Sequence, residues 1–141
     1  MNDKTDSAKG AILRPDEIPL VERGGGAKTI PLVHPGLGAR SLINGITIFA
    51  PGAAIPLHMH NCEESVMVLE GEAIAVIDGQ EHRLKAMDTT WIPANLPHQF
   101  INVSSTDEMR IFWTYADIAA TRTLVETGET RAVSAEHAKR L

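Results

Sequence analysis

Three histidines and one glutamate in this chain stand at spacings that let them share one cation: His58, His60, Glu64 and His98. His58 and His60 are two residues apart, so a β-strand turns both imidazoles to the same face. Glu64, four positions on, keeps their phase if the strand continues through a short turn. His98 arrives from a distant strand. Imidazole nitrogen with carboxylate oxygen suits one divalent first-row metal per chain. Iron or manganese is the expected native ion; zinc or nickel, which compete better at nitrogen sites, are the ions expected after purification. A dication with one carboxylate leaves a centre of about +1, which favours an anionic ligand. Four protein ligands leave a six-coordinate ion room for a chelating substrate, water or oxygen.

The surrounding sequence must supply strands to hold these groups. Runs rich in β-branched and apolar residues fall at 29–33, 41–49, 55–60, 65–69, 72–77, 80–84, 89–92, 99–103, 109–115 and 121–125, punctuated by glycine and proline. Asp78-Gly79 reads as a two-residue hairpin turn. The run at 65–69 is nearly all apolar, as in a strand covered on both faces. Many short strands with regular turns imply a barrel or sandwich. Strand phase puts Val66 and Val68 on the side of Glu64, and Phe100 and Asn102 on the side of His98. Trp91, Trp113, Met67 and Tyr115 lie in neighbouring strands. Together they predict an apolar pocket with few polar handles. Arg40 and Arg110 are the candidates for holding a substrate carboxylate, and neither is clearly placed. The expected substrate is small and moderately apolar, aromatic or a diketone-like chelator.

At 141 residues the chain fits one domain, and 43% hydrophobic residues suffice for a core. The expected division is a flexible segment at 1–28, a barrel at 29–125 and a tail at 126–141, in which Ser134 could cap a short helix. Gly24-Gly25-Gly26 reads as a flexible break, since it lacks the strand-to-helix setting of a phosphate loop. Thirteen basic against eighteen acidic residues give a net charge of −5, which argues against nucleic acid or an anionic membrane as partner. No apolar window is long enough to span a bilayer or direct secretion. Cys62 is the single cysteine, so no internal disulfide forms and a cytoplasmic location is the simple expectation. A buried, inert thiol is the default for it, with a redox sensor or fifth metal ligand as the minority reading. His34, His82 and His137 read as surface or hydrogen-bonded histidines without a metal role.

Gly52-x5-His58-x-His60-x3-Glu64-x6-Gly71 resembles the first motif of the cupin superfamily, with every defining position filled. The second cupin motif is matched at Pro93, His98 and Asn102, while Met87 and Asn95 replace its two glycines. Asn95 tolerates left-handed backbone and can keep its turn. Met87 holds a positive φ only at a cost, so its turn is expected to differ. The resemblance covers roughly residues 41–115. It implies an all-β double-stranded β-helix, a jelly-roll barrel with short terminal extensions, and a metal held by the four residues named above.

The resemblance further implies a metal-dependent enzyme, with an iron-type dioxygenase acting on a small chelating substrate as the leading expectation. Isomerase, decarboxylase and lyase activities are alternatives, as is a non-catalytic barrel that binds or senses a small molecule. Nothing like a helix-turn-helix accompanies the motifs. Exposed sheet edges and apolar strand faces lead to the expectation of a homodimer.

Overall fold

The computed structural model describes residues 9–134. Its organising point is one tight turn. Asp78 and Gly79 take φ of 52° and 79°, the geometry that joins twisted antiparallel strands without splaying them. Across it meet β6 (Ala73–Ile77) and β7 (Gln80–Leu84). Outward from this hairpin the chain pairs with itself in nested order. β5 (Glu64–Glu70) pairs with β8 (Thr89–Ile92), β4 (His58–His60) with β9 (His98–Ile101), and β3 (Ile43–Phe49) with β10 (Met109–Tyr115). Successive pairs fall alternately in two facing sheets, and each pairing is antiparallel. A long hairpin wound this way is a double-stranded β-helix. Terminal strands widen both sheets. β2 (Ala27–Pro31) joins β3 and carries β1 (Val21–Gly24), while β11 (Thr121–Leu124) joins β4 and carries β12 (Thr130–Ala132).

Period-two patterning sets the two faces. β3 and β10 each alternate buried and half-buried residues without a break. Their inward residues include Ile43, Phe49, Met109 and Trp113, all buried. Trp113 Nε1 donates to Thr47 Oγ1 at 2.8 Å, and Thr47 bonds Thr29 at 3.1 Å, so the polar atoms on this inner face are satisfied. Gly45 sits beneath the indole. A Cβ there would lie 2.6 Å from the Ile30 carbonyl oxygen and 2.7 Å from the Trp113 ring, so only glycine fits without a shift.

The strands begin earlier than the sequence predicts. β1 and the start of β2 fall before residue 29, and Gly24-Gly25-Gly26, expected as a flexible break, turns between them with three positive φ angles. β12 lies in the stretch expected as a tail. The helix expected from Ser134 onward runs outside the described residues. β5 is covered on one face only within a single chain: Val66 and Val68 are buried, whereas Leu69 is 39% exposed. Met87 departs from expectation in the other direction. It keeps the positive φ of the glycine it replaces, at 80°. Its side chain projects into solvent, and its amide donates to the Val68 carbonyl at 2.7 Å, which holds the strained backbone in place. Asn95 does the same with φ of 65°, its amide donating to the His60 carbonyl at 2.7 Å.

Candidate metal centre

Strand pairing brings the four candidate ligands together from three places. His58 and His60 open and close β4, His98 begins β9 directly opposite His58, and Glu64 begins β5 on the facing sheet. All four are buried. The ring centroids of the three imidazoles lie 4.5 to 5.1 Å apart. Their ligating nitrogens fall within 4.8 Å of one another.

Hydrogen bonds fix which nitrogen each ring presents. Nδ1 of His58 donates to Pro56 O at 2.7 Å, that of His60 to Thr121 O at 2.9 Å, and that of His98 to Leu96 O at 2.9 Å. A carbonyl only accepts, so Nδ1 carries the hydrogen in all three rings. Each neutral ring then turns an Nε2 lone pair inward, the arrangement that orients metal-binding histidines. His98 Nε2 lies 3.0 Å from Glu64 Oε1, and His60 Nε2 lies 3.4 Å from the same oxygen. Two acceptors this close need a cation between them, either a proton or a metal ion. His60 Nε2 is buried and makes no hydrogen bond. An ion about 2.1 Å from each donor would satisfy all of these atoms at once. The donor set therefore fits a divalent metal.

Electrostatics favour the same loading. Burial lowers the His58 imidazole well below its usual range, and the positive charge of the nearby Arg122 adds to the effect. Burial alone would raise the Glu64 carboxyl. Contacts with His60 and His98 outweigh it and hold the group far below the ordinary carboxylate range. A neutral imidazole and an ionised carboxylate are the ligating forms.

The pocket differs in part from the strand-phase expectation. Phe100, Trp113 and Tyr115 line the small cavity beside the imidazoles. Val66 and Val68 are buried in the core below it. Asn102 serves the fold: its amide donates to the carbonyls of Phe49, Ala50 and Asp107 at 2.8 to 3.1 Å. Trp91 and Met67 sit on the opposite face. Trp91 is 66% exposed, its Nε1 donating to Glu63 at 2.7 Å, and Met67 is half-buried. Both alternate with inward residues, Trp91 with Ile92 and Met67 with Val66 and Val68. Cys62 packs half-buried against the core, and burial raises its thiol above the usual range. His34 accepts from the Gly36 amide at 3.1 Å and His82 is exposed.

Arg40 and Arg110 point away from the centre. Arg40 is exposed, and Arg110 pairs with Glu70 at 3.2 Å. The arginines at the cavity are instead Arg23 on β1 and Arg122 on β11. Sequence patterning missed them because β1 was not expected and because nothing in the sequence says that β11 pairs with β4. Tyr115, opposite Glu64 in β10, contacts the His60 ring at 4.6 Å.

A family model described as "Cupin domain" matches residues 45–115. Among curated proteins, the polyketide synthase CurC of Streptomyces cyaneus is 35% identical over 109 residues, 76% of this chain and 70% of that protein. The HTH-type transcriptional regulator PuuR of Escherichia coli (strain K12) is 33% identical over 104 residues. That match takes in 73% of this chain but only 55% of the regulator. Among solved structures, the polyketide cyclase RemF from Streptomyces resistomycificus superposes with a TM-score of 0.70 at 19% identity, over 87% of this chain and 84% of that one. No helix among the described residues is long and apolar enough to cross a membrane.

Proposed function

The chain belongs to the cupin family, and from that premise we propose that it is a metal-dependent enzyme acting on a small, chelating, dicarbonyl-type substrate. One observation carries the proposal: three imidazoles with locked tautomers and one carboxylate converge in a buried centre that opens onto a cavity. His58, His60, Glu64 and His98 hold the ion. A divalent metal held there would supply Lewis-acid chemistry toward oxygen atoms of the substrate. Phe100, Trp113 and Ile55 supply apolar surface to the cavity wall. Burial, with the nearby Glu64 charge, raises the Tyr115 phenol far above its ordinary range. The phenol therefore keeps its proton and can donate a hydrogen bond to a substrate oxygen.

The likeness to a polyketide synthase and to a polyketide cyclase supports rearrangement of such a substrate without net oxidation. A second reading is cleavage of the same substrate by oxygen in an iron-type dioxygenase, which three imidazoles and a carboxylate on iron would suit. The test is anaerobic reconstitution with Fe(II), and in parallel with Mn, Zn and Ni. A panel of 1,3-diketones and catechol-like compounds then follows, with substrate loss and oxygen uptake both recorded. Substrate consumption without oxygen uptake is the expected result. Matched oxygen uptake would select the dioxygenase. Saturable binding with no consumption under any metal would make the barrel a binding or sensing module and overturn the enzyme.

We also propose a homodimer in a cytoplasmic setting. On the outer face of one sheet, Leu69 and Trp91 are 39% and 66% exposed, and Met87 at the adjoining turn is 70% exposed. A second copy would cover this apolar surface. Light scattering at micromolar concentration should give about twice the 15.3 kDa chain mass. A monomer mass there would refute the dimer.

A further inference from the structure

We propose that Asn61 is a positioning residue for the metal centre: its side-chain amide latches the start of β11, so that Thr121 O stays seated against Nδ1 of His60. The inference rests on the metal-dependent reading above and gives a role in it to a residue outside the ligand set.

Two of the three imidazoles are held locally and the third is not. His58 and His98 donate from Nδ1 to carbonyls two residues back along the chain, those of Pro56 and Leu96. Each ring is thus anchored by the lead-in to its own strand. His60 donates to Thr121 O, 61 residues further along the chain. That carbonyl lies beyond residue 115, where the cupin match ends. Its place behind the ring depends on how β11 docks on β4.

Backbone pairing leaves that docking incomplete. The β11–β4 ladder covers three residue pairs and ends with Arg122 opposite His60. Thr121 is one residue past this end, and side chains continue the ladder there. Asn61 Oδ1 accepts from Thr121 N at 2.8 Å, and Asn61 Nδ2 donates to Ala119 O at 3.2 Å. The amide fits in one orientation, since the reverse would set N–H against N–H and carbonyl against carbonyl. Neighbouring side chains therefore take both polar groups of Thr121, Asn61 its N–H and His60 its carbonyl.

The segment held this way is a strap. Ala119 N donates to Asp117 Oδ1 at 2.8 Å and Ala120 N to Asp117 O at 3.2 Å, which closes the turn on itself. Ala116 N donates to Glu63 O at 3.1 Å, beside Glu64. Residues 116–121 thus cross over 61–63, the link between two ligands, tied at one end by Glu63 and at the other by Asn61. Arg122 and Leu124 of the same strand line a second, outer cavity of about 270 Å³, which β1, β12 and Pro56 complete. The latch therefore holds a ligand ring and a cavity wall in one register.

The chemical consequence lies in the tautomer of His60. If Thr121 O withdraws, Nδ1 loses its acceptor and Nε2 can carry the hydrogen instead, toward Glu64 Oε1 at 3.4 Å. A ring with its hydrogen on Nε2 has no lone pair there for a metal. Asn61 itself is exposed and lies outside the core cluster, so its truncation removes the latch without opening a core cavity.

The test reads ring N–H exchange by heteronuclear NMR in the zinc-loaded full chain, beside zinc affinity from competition with a chelating dye. In the parent protein all three Nδ1–H groups should exchange slowly. Asn61→Ala should speed exchange at His60 roughly three- to tenfold and leave His58 and His98 unchanged. Zinc affinity should fall roughly three- to tenfold. That is less than the loss of about 10- to 100-fold for a direct partner of a ligand, because Asn61 acts one bond further out. Asn61→Asp keeps an oxygen for the Thr121 amide and loses the donor to Ala119, so both effects should be smaller. If Asn61→Ala does not fold, Asn61→Asp decides by the same His60-confined pattern. Unchanged exchange at His60, equal acceleration at all three rings, or faster exchange at His60 with zinc affinity intact overturns the latch. Should the parent protein take up no zinc, the reading of the centre fails, and exchange in the metal-free chain at neutral pH still judges Asn61. Acceleration confined to His60 upholds its role, and any other pattern refutes it.

Discussion

Replacing His60 with alanine should take the metal content from one ion per chain to almost none. His60 is the candidate ligand whose Nε2 is buried without a hydrogen bond, so no described residue substitutes for an ion at that atom. Its Nδ1 bond to Thr121 O at 2.9 Å fixes the ring from behind. Loss of one supporting hydrogen bond at a metal ligand costs about 10- to 100-fold in affinity, and removing the ligand itself should cost more. Elemental analysis after gel filtration reads the result, with circular dichroism confirming an intact β-fold. Full metal retention in the folded variant would refute the four-residue assignment.

The second large effect is on stability. A chelator should lower the melting midpoint at neutral pH by roughly 10 °C. An ion that binds only the folded barrel at a thousand times its dissociation constant adds about 4 kcal/mol, and each kcal/mol moves the midpoint of a chain this size by a few degrees. The difference should shrink as pH falls, because protons compete with the metal at three imidazoles.

The metal-free fold carries its own pH dependence of the same sign. His58 is held neutral by burial and by the nearby charge of Arg122. The unfolded chain takes up that proton below about pH 6.5, so stability tied to His58 is complete above this value and is lost beneath it. Glu64 has a depressed carboxyl in the fold. Its contribution is present above about pH 4.3, where the unfolded group titrates, and disappears only as pH falls toward the lower folded value. The His58 loss therefore comes first. A protein that carries metal at neutral pH yet melts at the same temperature with and without chelator would refute the coupling of metal to fold.

His58, His60 and Glu64 were legible in the sequence because their chemistry and their spacing are both local, and His98 through the resemblance of its own motif. His58 and His60 differ by one strand period, and Asp78-Gly79 dictates a turn that sets the nesting of every strand around it. The pocket walls were less legible. Trp91 and Trp113 have the same composition signal, and only register decides that one faces solvent while the other lies under Thr47. Asn102 shares the parity of Phe100, yet three carbonyls capture its amide. Met87 shows that a residue type ill suited to positive φ can hold it where the fold demands and solvent leaves room. Arg23 and Arg122 were invisible because each reaches the site through a pairing of distant strands, β1 with β2 and β11 with β4. No local pattern encodes such a pairing.

The placement of β1, β11 and β12 separates the cavity rim from the candidate ligands along the chain. The imidazoles and carboxylate all lie between residues 58 and 98, inside the stretch the family model matches. The charged walls of the outer cavity come from Glu22, Arg23, Arg122, Glu129 and Arg131, which lie outside it. The candidate metal ligands and the charged rim of the outer cavity thus lie on separate stretches of chain. Substitutions in these flanking strands would therefore alter the rim of the outer cavity without replacing any of the four candidate ligands.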